Sequence, residues 1–177
     1  MDYYTLNLFG LKRSLPLVSV SPKIKIASFN LLGDGELVEK IANRLCPMLK
    51  KIRFDHLVGP EVKVVPLLQS LSVKLSKPRY VVLRKNIMGY MTSPISGKSH
   101  PSLVLNGPDA QILNGKRAVI IDDVVSSGRT INTLCELIET AEAKVVAITA
   151  IFKQGEEELT GRAKTLTYLE NLPVFKD

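Results

Sequence analysis

Residues 118–130, Ala-Val-Ile-Ile-Asp-Asp-Val-Val-Ser-Ser-Gly-Arg-Thr, constrain this chain more than any other stretch. An apolar run, Ala118–Ile121, ends in two adjacent carboxylates, Asp122 and Asp123. A loop of small polar residues follows, and Ile131, Leu134, Cys135 and Ile138 then recur at i, i+3, i+4 and i+7, one face of a helix. The order predicts a buried strand, an acidic pair at its end, a tight loop and a helix. Gly128 can take backbone angles that other residues avoid. Ser126, Ser127 and Thr130 offer hydroxyls, Arg129 adds a cation, and the helix directs its N-terminal N–H groups at the loop. Such a loop suits a phosphate; it also suits an ordinary strand-to-helix turn capped by Ser-Ser-Gly. The aspartates tip the balance. Two neighbouring carboxylates at a buried strand end repel each other and lose hydration, so they persist more readily when they accept bonds from hydroxyls or help to hold a metal. A sugar phosphate satisfies both halves.

The rest of the chain supplies a frame. Its 177 residues suffice for one domain with a real core. Tyr3–Phe9, Leu15–Val20 and Ile24–Phe29 read as strands, linked through Gly10-Leu11-Lys12-Arg13 and Ser21-Pro22, and form a small antiparallel appendage. Asp34 can cap a helix carrying Leu37, Ile41 and Leu45 on one face, and Pro47 should kink or end it. His56-Leu57-Val58 is a short buried strand, 59–63 a loop, and Val64, Leu67, Leu68, Leu71 and Leu75 a helical stripe. Tyr80–Leu83 and Lys144–Phe152 are further strands, and Leu103–Leu105 is another candidate. The polar stretch from Lys85 to Ser102 is too long to be an idle connection in a compact domain. The tail from Gln154 shows no clear pattern. Strands that are apolar on both faces and alternate with helices imply an α/β fold, a Rossmann-like parallel sheet flanked by helices. In such sheets ligands bind beyond the carboxyl ends of the strands, where the loops 59–63, 85–101 and 122–130 would converge.

Composition excludes several classes. With 45% hydrophobic and 23% charged residues the chain is ordinary for a globular protein. No apolar stretch approaches a membrane span, and Leu15–Val20 lacks the layout of a secretory signal, so a cytoplasmic protein without a membrane partner is expected. Cys46 and Cys135 sit at apolar helical positions with no metal-ligand spacing and read as core. The net charge is +7, but the basic residues are scattered along the sequence and form no reading module, so a small polyanionic substrate is expected and no nucleic acid. Gly97-Lys98-Ser99 resembles the end of a nucleotide P-loop, yet Thr92 stands where that motif needs glycine. His56 reads as a buried strand residue, and Glu156-Glu157-Glu158 as a solvated face.

The strand, Asp-Asp and Ser-Ser-Gly-Arg-Thr order resembles the phosphoribosyl-pyrophosphate (PRPP) motif of the type I phosphoribosyltransferases. The likeness extends over most of the chain: Val58-Gly59-Pro60-Glu61-Val62-Lys63 resembles the family's pyrophosphate loop. Tyr80–Lys85 resembles the next strand of the adenine and xanthine enzymes, which also ends in a basic pair, and Ser28-Phe29-Asn30 and Leu172-Pro173-Val174-Phe175 fit the same group. The resemblance implies the type I fold with a core at about 34–153, a hood built from about 1–33 and 154–177, and a mobile lid at about 86–101. It implies that Asp122 and Asp123 bind the ribose hydroxyls and that Ser126, Ser127, Gly128, Arg129 and Thr130 bind the 5′-phosphate. Glu61, Val62 and Lys63 would hold pyrophosphate, which Arg84 and Lys85 neutralise, across a homodimer interface if the family's common assembly applies. Lys98 and His100 would be the lid's charges. Phe29, Asn30 and Lys153 would meet the base: Phe29 by stacking, Asn30 at an edge, Lys153 by donating to a 6-oxo group. Magnesium would be held mainly by substrate and water near the aspartates. Two departures stand out: Arg129 is an added cation, and Val62 and Val64 are bulkier than the residues usual in a pyrophosphate loop. The implied reaction joins PRPP and a purine, adenine or a 6-oxopurine, into a nucleoside monophosphate. A ligand-sensing regulator on the same fold and an orotate or other pyrimidine enzyme are the alternatives. The first usually carries a separate DNA-binding module, and the β-like residues 1–35 are too short for one.

Overall fold

The computed structural model describes residues 2–98 and 103–176. Strands β1 (Tyr3–Leu8), β2 (Leu11–Ser21) and β3 (Ile24–Ala27) form the expected antiparallel appendage. Leu11, Lys12 and Arg13 belong to β2 and not to a connection. Phe9 and Gly10, with φ of 50° and 83°, make a two-residue hairpin loop that needs nothing more. Helix α1 (Gly35–Leu49) starts at Asp34, whose carboxylate accepts the Leu37 N–H at 3.1 Å. Pro47 lies inside the last turn, where it has no N–H for the Asn43 carbonyl, and the helix ends two residues later.

Strand β4 (His56–Pro60), α2 (Val65–Lys74) and β5 (Tyr80–Leu83) come next. A short ribbon of β6 (Ile95–Ser96) and β7 (Val104–Leu105) precedes α3 (Gly107–Leu113), a helix that the turn-rich Asn106-Gly107-Pro108 had concealed. Proline at the second position of a helix is favourable, so the same residues can open a helix or a turn. Then come β8 (Arg117–Val125), α4 (Arg129–Thr140), β9 (Lys144–Gln154), a 3-10 turn at Gly161–Thr165, β10 (Leu166–Leu172) and β11 (Val174–Lys176).

The main sheet has the order β10-β9-β8-β4-β5, parallel throughout. Its alternation assigns the two faces. Leu57, Val119 and Ile121 pack with α1, α2 and the appendage, while Val58, Ala118 and Ile120 pack with α3 and α4. Three expectations change. Strand β10 lies in the main sheet, so the core continues past 153, and only β11 joins the appendage, beside β3. β8 runs through the aspartates to Val125, because β9 continues to pair with it as far as Val125↔Lys153. His56 is half-buried rather than buried. Cys46 and Cys135 are buried and unpaired, and Glu156, Glu157 and Glu158 are exposed. Among the described residues no helix is long and apolar enough to cross a membrane.

Candidate active site

The C-terminal ends of β4, β5 and β8 open onto a cleft of about 320 Å³, lined by Glu61, Lys63, Lys85, Asp122, Asp123 and Thr130 among others. Asp122 is only 5% exposed, whereas Asp123 is half-buried. The Asp122 Oδ1 accepts the Asp123 backbone N–H at 2.8 Å. Burial pushes the Asp122 carboxyl well above the ordinary range, and the charge of Asp123 adds to that, while Lys63 opposes it. Asp123 Oδ2 is buried and has no hydrogen-bond partner. Buried acceptors are nearly always satisfied in folded proteins, so this oxygen marks a place where a hydroxyl or a cation fits.

Beyond Val125 the chain turns through Ser126, Ser127 and Gly128 into α4. Gly128 has φ 78° and stands at the N-cap with no side-chain bond to the first turn. With glycine at the N-cap, no N-cap side chain takes up the N–H groups of the first turn. Behind the loop a Cβ on Gly128 would lie 2.6 Å from the Ala163 Cβ. Asn132 of α4 fixes that backing: its Oδ1 accepts the Ala163 N–H at 3.0 Å and its Nδ2 donates to the Thr160 carbonyl at 3.1 Å. Asn132 stands one helical turn beyond the loop, but the 160–163 turn that it holds lies some thirty residues further along the chain, and no local pattern links the two.

Across the cleft, Glu61–Val64 turns the chain from β4 into α2, with a cis Glu61–Val62 peptide. The Glu61 N–H donates to the Leu83 carbonyl at 2.8 Å. Its carboxylate accepts the Lys85 N–H at 2.8 Å and faces the Arg84 guanidinium at 3.3 Å. Glu61 thereby holds the Arg84 side chain and the Lys85 backbone against the turn. The bulk of the two valines is accommodated separately: Val64 is 1% exposed and packs in the core, and Val62 is 50% exposed. Close approach of β4 and β8 needs Gly59, where a Cβ would lie 2.6 Å from the Ile121 carbonyl oxygen. Lys63 reaches the appendage, its ammonium donating to the Phe29 carbonyl at 2.9 Å.

The expected base contacts are not assembled in this cleft. Phe29 is 2% exposed and meets Phe152 edge-on, with ring centroids 4.8 Å apart, so its ring is core and offers no face for stacking. Asn30 is exposed, and its Oδ1 accepts the Leu32 N–H at 3.2 Å in a local turn beside a second cavity of about 430 Å³. Lys153 is 7% exposed, and its ammonium donates to the Gln154 and Gly155 carbonyls at 3.1 and 3.0 Å. Lys98 is exposed, and its N–H donates to a Glu136 carboxylate oxygen at 2.6 Å on α4. His100 lies outside the described residues.

Comparison with known proteins agrees with this geometry. Residues 35–176 match the phosphoribosyl transferase domain. The chain is 31% identical over 149 residues to the hypoxanthine/guanine phosphoribosyltransferase of Methanotorris igneus, covering 77% of this chain and 78% of that protein. It is 28% identical over 149 residues to the orotate phosphoribosyltransferase of Thermococcus gammatolerans, covering 82% and 70%. In fold it resembles the adenine phosphoribosyltransferase of Thermoanaerobacter pseudethanolicus, with a TM-score of 0.67 at 21% identity over 89% of this chain and 95% of that one. With an acidic strand end, an uncapped helix N-terminus and a second turn facing one cleft, and with a domain match across most of its length, the chain belongs to the phosphoribosyl transferase domain family.

Proposed function

We propose that the chain is a purine phosphoribosyltransferase, which joins the phosphoribosyl group of PRPP to a purine and releases pyrophosphate. One observation carries the reading. The Asp122–Asp123 pair, Thr130 in the first turn of α4 and the Glu61–Lys63 turn line a single cleft, and the loop 126–128 leads from that pair into α4, so acceptors for hydroxyls and donors for phosphates lie close together. The purine preference is supported by relatives named hypoxanthine/guanine phosphoribosyltransferases, 30–32% identical to this chain. The Thermococcus gammatolerans relative supports an orotate enzyme as the second reading.

In this account Asp122 and Asp123 accept bonds from the ribose hydroxyls. Ser126, Ser127, Gly128, Arg129 and Thr130 hold the 5′-phosphate with hydroxyls, backbone N–H groups and one guanidinium. Val62 and Lys63 present backbone donors to pyrophosphate, Glu61 holds the turn through its bonds to the Leu83 carbonyl and the Lys85 N–H, and Arg84 and Lys85 balance the charge. The bond from the anomeric carbon to pyrophosphate oxygen breaks with its electron pair going to the leaving group. A ring nitrogen of the base then bonds to that carbon and gives up its proton to the departing pyrophosphate or to water. Positive charge builds on the ribose as the leaving group departs, and the aspartates stabilise it. The protein supplies position and electrostatics and needs no covalent nucleophile.

Magnesium fits this site as an ion shared with the substrate. Among the described residues no group of three or more His, Cys, Asp or Glu side chains could hold a metal. The unpartnered Asp123 Oδ2 and the Asp122 carboxylate are hard oxygen donors suited to it. When bound, the ion offsets charge on the pyrophosphate and ribose oxygens. Lys153 would recognise a 6-oxopurine only on releasing the Gln154 or Gly155 carbonyl to which its ammonium donates. Homodimerisation and a cytoplasmic setting belong to the proposal on the strength of the family resemblance. Pyrophosphate release from PRPP, measured separately with hypoxanthine, guanine, xanthine, adenine and orotate, tests it. Release with a purine is the expected result. Release with orotate alone would transfer the chain to the second reading.

A further inference from the structure

The fold gathers basic residues that are scattered in the sequence. Four loops, 50–56, 74–79, 114–117 and 141–144, lead into the N-terminal ends of β4, β5, β8 and β9. The strands are parallel neighbours, so these loops form the sheet edge opposite the cleft. The loops are also bonded to one another. The Lys77 ammonium donates to the Phe54 carbonyl at 2.8 Å, the Asp55 N–H to the Arg117 carbonyl at 2.8 Å, and the Lys144 N–H to the Lys116 carbonyl at 2.8 Å. Together they hold nine basic and two acidic residues, a net of +7, which is the net charge of the whole chain. The remaining 15 basic and 15 acidic residues cancel.

Local structure uses part of this charge. Arg117 is paired with Asp55 at 2.8 Å, and Lys74 with Glu39 at 2.8 Å. Helices α1 to α4 all end at this edge, and each C-terminus carries about half a negative charge, so the dipoles offset about two units of the seven. Lys50, Lys51, Arg53, Arg79, Lys116 and Lys144 are exposed and make no ion pair among the described residues. They stand across three strand spacings, about 14 Å, a span of about four phosphates along one strand of a duplex.

We propose that this edge binds the phosphate backbone of a nucleic acid, independently of the active-site cleft. The surrounding chemistry selects that partner. A membrane-surface site needs apolar side chains to insert. In these loops Phe54, Ala141 and Ala143 are buried, Ile52 and Leu75 are half-buried and Pro78 is exposed; Met48 and Val73, at the ends of α1 and α2 beside them, are the large exposed apolar side chains nearby, too few to insert as a face. These four loops carry no exposed aromatic for stacking on bases, so contacts go to the backbone and are indifferent to sequence.

Fluorescence anisotropy of the whole protein with labelled 20-nucleotide RNA and DNA, single- and double-stranded, tests the proposal. Binding is expected to weaken with salt at a log–log slope of about −3, as for about four neutralised phosphates. Saturating PRPP should leave it unchanged within about twofold. Reversing Lys51, Arg53 and Arg79 to Glu should weaken it at least about tenfold. Reversing Lys23, Lys40 and Lys164, which changes net charge equally at exposed sites elsewhere, should have less than about a threefold effect. Single Arg79→Gln and Lys116→Gln variants, which leave the paired residues intact, should each lose about two- to threefold. Equal losses in the two triple variants would overturn the proposal, as would displacement by PRPP or no binding of any nucleic acid at low salt. So would equally tight binding of polyglutamate or of anionic phosphatidylserine vesicles, which would assign the edge to an acidic protein or a membrane.

Discussion

The Lys63 ammonium donates to the Phe29 carbonyl oxygen at 2.9 Å, and this bond ties the turn after β4 to the chain immediately before Asn30. Lys63 also counters the rise in the Asp122 carboxyl's affinity for protons. One side chain thus serves both borders of the cleft. Lys63→Met keeps the length and removes the charge. A hydrogen bond from a charged donor contributes about 1.5–3 kcal/mol, so kcat/KM is expected to fall at least about tenfold. Losing the cation should also raise the Asp122 value further, moving the acidic limb of the pH–rate profile to higher pH. An unchanged kcat/KM and an unmoved limb would contradict the role.

Asp122 should weigh against stability at the pH where the protein works. Its folded value lies above the unfolded value of about 4 because burial and Asp123 favour the protonated form. The folded chain therefore holds the extra proton, and stability falls as pH rises from about 4 through the raised folded value. Asp122→Asn removes this penalty and can still accept the Asp123 N–H. The variant is expected to melt about 2–4 °C higher at pH 8, as for a gain of about 1 kcal/mol in a chain of this size, while turnover drops at least about a hundredfold. Melting curves across pH 4–8 check the sign, because the difference from the parent should shrink toward pH 4.

In the loop before α4, Gly128 combines φ 78° with a Cβ position 2.6 Å from the Ala163 Cβ. Gly128→Ala must accept left-handed backbone at about 1–2 kcal/mol and displace the 3-10 turn as well. The loop should shift, and PRPP affinity measured by calorimetry should fall at least about tenfold. Asn132→Ala, which removes the two bonds to that turn, should reproduce part of the loss without touching the loop itself.

The local patterns read well from sequence, and the failures have a common cause. The strand, Asp-Asp and loop order of 118–130 and the Asp34 cap depend on neighbours in the chain. The placement of β10 in the main sheet depends on pairing with β9, which no periodicity in Leu166–Leu172 announces. Phe29 looked available for stacking because a lone aromatic before Asn30 carries no mark of its partner Phe152. The basic edge was invisible for the same reason. Its cations come from four separate loops, and only the parallel sheet puts them side by side.

The most direct test of the central claim is chromatographic detection of nucleoside monophosphate formed from PRPP, magnesium and a panel of purines. The parent protein is run beside the Asp122→Asn, Asp123→Asn double variant. The account predicts nucleotide and pyrophosphate in equal amounts with at least one purine, and a loss of at least about a thousandfold in a double variant that remains folded. No nucleotide with any purine, or equal turnover in the two proteins, would contradict it.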